Sequence, residues 1–361
     1  MSVNRVADRA GVYLRPGGLL GGGAGQQAVR QGKAGLIGAG WAAFCLVEII
    51  ERTGNNIQRS WHSYGDIAET GDKAIADTLR RVEAPRSPVA GLPMSEPQIM
   101  GIVNVTPDSF SDGGDFLQSK TAIAHGKELQ AAGADVLDIG GESTRPGADY
   151  VSEEEEAKRV VPVLKGLQGL GVALSVDTRK PSVMRHGAAA GAGFVNDVTA
   201  LSFSEDSLKT VGELGVPVCL MHSQGTPQTM QDNPQYDDVV LDVYDYLGER
   251  IAVCVEAGIA VDQIVVDPGI GFGKTVRHNL ALIDEISVFH GLGVPVLLGA
   301  SRKSFIAAVT GNADVDNRLS GSLAVALCGV AAGVQFLRVH DVAETVQALR
   351  VWQASENSPQ F

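Results

Sequence analysis

From residue 97 onward the chain alternates, eight times over, a short β-branched run with a longer alanine-rich stretch of helical period. The runs read IMGIVNV, DVLDIG, VALSVD, GFVND, VPVCLMH, QIVVD, VPVLLGA and QFLRVH. Strands separated by helix-length segments specify a parallel sheet covered by helices. Eight such units in ~260 residues fit a closed barrel better than an open doubly wound sheet, which has fewer strands and a nucleotide loop after its first. The expected fold class is α/β: a (β/α)8 TIM barrel over residues 96–361, preceded by a small, mostly helical N-terminal extension over residues 1–95.

Nearly every run ends in a polar group: Asn104, Asp138, Asp177, Asn196 with Asp197, His222, Asp267, Ser301 to Lys303, and Arg338 with His340. In a parallel barrel the strand ends share one rim, the face that carries active sites. Asp and Asn also cap helices where a strand turns into one, and Asp197 and Ser301 are the members that capping explains most readily. Capping does not account for a set that mixes carboxylates, amides, imidazoles and cations. Two long loops follow the first two runs, NVTPDSFSDGGD and GGESTRPGADYVSEEEE. Both exceed ordinary βα connectors, and long polar loops over a barrel mouth act on substrate. The acidic end of the second loop is a helix start, in which Ser152 and Glu155 form a capping box. Glu154 with Lys158 and Glu155 with Arg159 are i,i+4 pairs.

Several function classes fall away. The stretch DPGIGFGKT imitates a phosphate loop, but the glycine required five places before Gly273 is Pro268, which has no N–H to offer. Lys274 then reads as a loop cation, and the candidate functional group of the stretch is the carboxylate Asp267. A formal charge of -13 repels nucleic-acid phosphates, so an anionic ligand needs a local basic pocket. Cys45, Cys219, Cys254 and Cys328 lie far apart in apolar contexts, without metal-ligand spacing or a close redox pair, and read as reduced thiols of a cytoplasmic protein.

The N-terminal region carries charges and a loose glycine stretch instead of a targeting core. The apolar run AGLIGAGWAAFCLVEII is shorter than the ~20 residues of a bilayer span and is expected to form a packed helix, not a membrane anchor. Its GLIGAG has the wrong glycine spacing for a dinucleotide loop. Pro85, Pro88 and Pro93 mark a linker near residues 84–96.

The motifs GIVNVTPDSFSDGG, DIGGESTRPGA, SVDTRKP, NDV, LMHSQGTPQTMQDNPQYDDV, DPGIGFGK, GASRKS and RVHD, in this order and spacing over residues 97–352, resemble those of dihydropteroate synthases. The resemblance implies that para-aminobenzoate is joined to hydroxymethyl-dihydropterin diphosphate, with release of diphosphate, in folate biosynthesis. It also implies a pterin held deep in the barrel. Its adjacent N–H and NH2 donors suit one carboxylate acting as a bidentate acceptor, Asp267. Asn196 suits the mixed neighbouring edge, Asp177 a ring N–H or bridging water, and Lys303 the carbonyl side. Phe272 and Gly299 belong to the same pocket, and Met221 at its strand end fits either a barrel-layer residue or a lining of that pocket.

The leaving group needs charge stabilisation, for which Arg145, Arg338, His340 and one Mg2+ are suited. Asn104 supplies a single metal ligand, consistent with an ion that takes most of its shell from phosphate and water. An S_N1-like path would leave a pterin-methyl cation near Asp177 and Asp267, shielded by Asp112 of the first loop. By the same resemblance Phe110 and Pro146 pack on the benzoate ring, Ser304 receives its carboxylate, Thr144 hydrogen-bonds the diphosphate or the loop-bound metal waters, and the enzyme is a homodimer.

Two other readings share some of these residues. A methyl transfer from a reduced folate to a corrinoid would use Asp177, Asn196 and Asp267 but has no need of STRPGA or RVHD. A non-catalytic pterin-binding paralogue would have lost Asn104, Arg145 or Lys303, all of which stand.

Overall fold

The computed structural model describes residues 10–105, 114–143, 147–226, 228–311, 314 and 316–357. It opens with β1 (Ala10–Leu20), α1 (Gly22–Arg30), β2 (Gly35–Leu36), β3 (Ala43–Thr53), β4 (Asn56–Ser63), α2 (Tyr64–Ala68) and α3 (Lys73–Glu83). β3 is the centre of a four-stranded antiparallel sheet. It pairs with β1 along its whole length, Ala10 opposite Thr53, and on its other side with β2 and β4.

The expectation of a mostly helical extension is therefore overturned. The run expected as a packed helix is a short 3-10 turn, Ile37–Ala39, followed by β3. Local chemistry explains the outcome. Phe44, Val47, Ile49, Ile50 and Thr53 favour a pleated, half-buried surface, and Gly54 (φ 61) with Asn55 joins β3 to β4 in the two-residue turn that favours hairpins. Leu14, Phe44, Val47 and Ile49 then pack on Leu79 and Val82 of α3 to give this N-terminal module its own core.

The barrel follows as β5 (Gln98–Asn104), α4 (Gly114–Ala131), β6 (Val136–Gly140), α5 (Glu153–Leu167), β7 (Ala173–Asp177), α6 (Pro181–Ala189), β8 (Phe194–Asp197) and α7 (Asp206–Leu214). It continues with β9 (Val218–Met221), α8 (Val239–Glu256), β10 (Ile264–Asp267), α9 (Val276–Asp284), β11 (Leu297–Leu298), α10 (Ser304–Thr310), α11 (Leu319–Ala331), β12 (Phe336–Val339) and α12 (Val342–Glu356). The strands form one parallel sheet running from β10 down to β5 and on through β12 to β11. A parallel bridge from Val266 to Val296 joins its two edges and closes the barrel. Closure puts every strand C-terminus on one mouth.

The proline-rich segment before β5 is more than a linker. Val89 pairs with Leu92 in a tight turn, and Val89 and Met94 pack against Met100, Val136, Phe194, Cys219, Val265, Leu297 and Phe336, which lie near the beginnings of their strands. The segment thus plugs the floor of the barrel, opposite the mouth. Truncating a ring in this layer, as in Phe336→Ala, would cost about 3–5 kcal/mol.

The module docks on the barrel flank. Tyr13 and Ile50 enter the outer barrel core, Trp41 donates its indole N–H to the Val330 carbonyl at 2.8 Å, and Ser287 donates to the Pro16 carbonyl at 2.8 Å.

Candidate active site

The barrel mouth collects the polar strand ends, and buried ion pairs organise them. Arg338 on β12 donates through Nε to Asp138 at 2.6 Å and through an Nη to Asp177 at 2.7 Å, bridging the middle of β6 and the end of β7. The Asn196 amide on β8 donates to the same Asp138 oxygen at 3.0 Å. Asp138 is fully buried and holds both groups, a role that its place inside the run DVLDIG does not reveal. Two carboxylates thus share one guanidinium. Burial pushes Asp177 up to about 7; Arg338 pulls it back and Asp138 adds to the rise.

Asp267 ends β10, and burial raises its carboxyl above the usual range even though the Gly269 N–H donates to it at 2.7 Å. That bond requires a sharp turn. Gly269 has φ +71, and a Cβ there would lie 1.9 Å from the His222 carbonyl oxygen, so no other residue fits. Gly299 lies between the barrel's two charged sides: a Cβ there would lie 3.5 Å from Asp267 Oδ2 and 3.8 Å from Arg338 Cβ. Lys303 places its ammonium 4.0 Å from the Phe272 ring centre, a cation–π contact that sets it over the same loop. Met221 is buried in register with Asp267.

Lys274 does not behave as a loop cation. It is buried, with Nζ 2.9 Å from His222 Nδ1 and donating to the Phe272 carbonyl at 3.0 Å. Burial lowers it to about 7, with Asp267 opposing the fall. Its task is to tie the glycine loop to the end of β9. His340 also differs from a simple cation. Its Nδ1 lies 3.1 Å from the Ser301 hydroxyl, and burial followed by the Arg338 charge lowers it to about 3, so the ring is neutral and serves as a hydrogen-bonding group. Ser301 thereby orients a rim residue. Asp197 is a cap: it accepts from the Thr199 hydroxyl and from the backbone of Thr199 and Leu201 at 2.7–2.9 Å.

Asn104 ends β5, partly buried, and Ser304 begins α10 in an exposed position. Phe110, Asp112, Thr144, Arg145 and Pro146 lie outside the described residues.

The base of the second loop carries a cluster that sequence reading missed. Lys180, with no exposed side-chain surface, pairs with the equally buried Glu156 and with Glu142 at 3.2 Å, and donates to the Val151 carbonyl at 2.6 Å. Glu142 also receives Arg179 in a bidentate pair at 3.2 Å and the Val151 N–H at 3.1 Å. Gly141 and Val151, the two feet of the loop, are held together by these bonds and by Arg159, which donates to the Gly141 carbonyl. The sequence signals were the charges in GGES and DTRK, but nothing local says that they meet.

The pterin-binding enzyme family matches residues 100–340. The dihydropteroate synthase of Escherichia coli (strain K12) is 49% identical over 265 residues, which is 73% of this chain and 93% of that protein. The chain belongs to the dihydropteroate synthase family.

Among solved members of that family, the Xanthomonas albilineans dihydropteroate synthase with 4-aminobenzoic acid is 50% identical. It superposes with a TM-score of 0.71 over 75% of this chain and 97% of its own. The same enzyme in complex with 7,8-dihydropteroate is 47% identical, with a TM-score of 0.68 over 74% of this chain and 97% of its own. Membership makes the protein a transferase. The N-terminal module precedes the family match. Among the described residues no helix is long and apolar enough to cross a membrane.

Proposed function

We propose that the barrel mouth joins the para-aminobenzoate amine to the methylene carbon of hydroxymethyl-dihydropterin diphosphate, as dihydropteroate synthases do. The C–O bond to diphosphate breaks, diphosphate leaves with the electron pair, the C–N bond forms and the amine loses a proton. The observation that carries the reading is the convergence of Asp267, Asn196, Asp177 and Arg338 on one rim in a chain of this family. Buried Asp267 accepts the paired N–H donors of the pterin, Asn196 faces its mixed edge, and Lys303 donates to its carbonyl. The carboxylates Asp177 and Asp267 favour the cation left as diphosphate departs, consistent with an S_N1-like path.

Arg338 and neutral His340, with Arg145, hold the leaving diphosphate by charge and by hydrogen bond. Asp112 shields the cation; Phe110 and Pro146 pack on the benzoate, Ser304 takes its carboxylate, and Thr144 bonds on the diphosphate side. Among the described residues no group of three or more His, Cys, Asp or Glu is placed to hold a metal ion. Asn104, partly buried at the end of β5, would offer one amide oxygen to a Mg2+ of the kind that takes most of its shell from phosphate and water. Bound there, such an ion would help to neutralise developing diphosphate charge. We further propose a cytoplasmic homodimer, for which the exposed small residues Ser320, Ala324 and Cys328 of α11 offer a close-packing face.

The test is diphosphate release on mixing both substrates with Mg2+. Stoichiometric release with dihydropteroate formation is expected; tight pterin binding without release would establish a non-catalytic paralogue instead.

A further inference from the structure

The N-terminal module reaches the pterin loop through a chain of direct contacts. The segment Tyr236 to Asp245 closes the long loop after β9 and begins α8, and it carries Asp237, Asp238, Asp242 and Asp245. These carboxylates crowd one helix start, where the dipole favours some negative charge but mutual repulsion opposes the rest. The module supplies cations. Arg52 of β3, 3% exposed, places Nη1 at 2.7 Å from Asp242 and 3.7 Å from Asp245, with Nη2 at 3.9 Å from Asp237. Tyr13 of β1 donates to Asp245 at 2.8 Å. Arg59 of β4 lies 3.4 Å from Asp238 and 2.8 Å from Glu285.

Asp242 passes the constraint onward by accepting the Asp237 N–H at 2.9 Å. The preceding residue, Tyr236, donates its hydroxyl to the Gly273 carbonyl at 2.7 Å. Its ring packs edge-on against His278, with centroids 5.0 Å apart, and lies 5.9 Å from the His222 ring. Gly273 belongs to the turn that follows Asp267 and includes Phe272 and Lys274. A second bond from the same loop, Gln231 to the Gly271 carbonyl at 2.9 Å, grips that turn one residue before Phe272.

We infer that the N-terminal module is a positioning element for the pterin-binding turn, with Arg52 as its key residue acting through Asp242, Asp237 and Tyr236. The inference rests on the reading of the barrel mouth as a pterin site. The module lies outside the family match, so this chain braces from its flank a turn that its own barrel carries. Arg52 touches no substrate group; it limits how far the Gly269 to Gly273 turn departs from the geometry that presents Asp267 and Lys303.

The test uses the full chain and the variants Arg52→Ala, Arg52→Lys, Tyr236→Phe and the double variant Arg52→Ala/Tyr236→Phe. Arg52→Ala should raise KM for the pterin diphosphate by about tenfold while KM for para-aminobenzoate and kcat stay within about twofold, the pattern of a lost positioning contact on one substrate. Arg52→Lys should recover part of the loss, and the double variant should be no worse than the poorer single variant, because both act on one path. An unchanged pterin KM, an equal rise in both KM values with a drop in kcat, or fully multiplicative effects in the double variant would each overturn the inference. A wild-type chain that forms no dihydropteroate refutes the functional reading instead. Calorimetric binding of a dihydropterin to wild type and Arg52→Ala then decides the positioning claim on its own, a matching affinity refuting it and a loss of about tenfold supporting it.

Discussion

Replacing Asp267 by Asn should separate activity from stability in opposite directions. One carboxylate oxygen already accepts from the Gly269 N–H at 2.7 Å, and an asparagine oxygen can keep that bond. Its NH2 then faces the barrel axis, where the reading of the site places the pterin donors. A charge-assisted hydrogen bond is lost, and two donors are left facing each other in a dry pocket; at about 1.5–3 kcal/mol for each effect the loss is about 3–6 kcal/mol. With about 1.4 kcal/mol per decade, kcat/KM should fall by about 10^2- to 10^4-fold.

Stability should behave otherwise. The folded-state pKa of Asp267 is raised, chiefly by burial. The wild type therefore loses stability as pH rises from the unfolded-state value through the folded one, and that loss persists at higher pH. The variant has no such charge. Its melting temperature should match wild type near pH 4 and equal or exceed it at pH 8. Steady-state kinetics and thermal melts at the two pH values check both arms. Activity within tenfold of wild type would refute the acceptor role, and a lower melting temperature at pH 8 would refute the claim that the ionised carboxylate is held at a cost.

Other outcomes follow from the same geometry. Lys180→Met leaves buried Glu156 without its cation, at about 3–5 kcal/mol in a denaturant melt; adding Glu156→Leu should restore most of that stability, while kcat stays down about tenfold because the Lys180 bonds to the Val151 carbonyl and to Glu142 stay missing and the feet of the second loop keep only their Glu142 and Arg159 contacts. With Asp177 near 7 and required as a carboxylate, kcat/KM should fall as pH drops through about 7, and Asp138→Asn should move that limb to lower pH by removing a like charge, which a pH–rate profile will show. Chelation with EDTA should stop turnover and added Mg2+ should restore it, while calorimetric affinity for dihydropteroate, which lacks diphosphate, stays unchanged.

The barrel was legible because its information is local and repeated. A β-branched run must be a short strand, an alanine-rich stretch between two such runs must be a crossover helix, and eight repeats leave a closed parallel sheet as the economical arrangement. The rim residues were legible for the same reason, since strand C-termini share a face whatever the details of packing. Less regular segments misled. AFCLVEIIERTGNNIQRSWHS contains a hairpin turn at Gly54–Asn55, but the glycine-rich approach to it masks the alternation, and its apolar length invites a helix.

The chain's order alone therefore determined the number of βα units, the single face on which their polar ends meet, and the failure of DPGIGFGKT as a phosphate loop, all consequences of backbone periodicity and of one proline. Tertiary structure decided which charges pair: Arg338 with Asp138 and Asp177 from 161 to 200 residues away, Lys180 with Glu156, and Arg52 with the start of α8. It also decided that Lys274 and His340 sit in surroundings that disfavour their charge. Coulomb and desolvation energies depend on distance and burial in space, and neither is written along the chain until it closes.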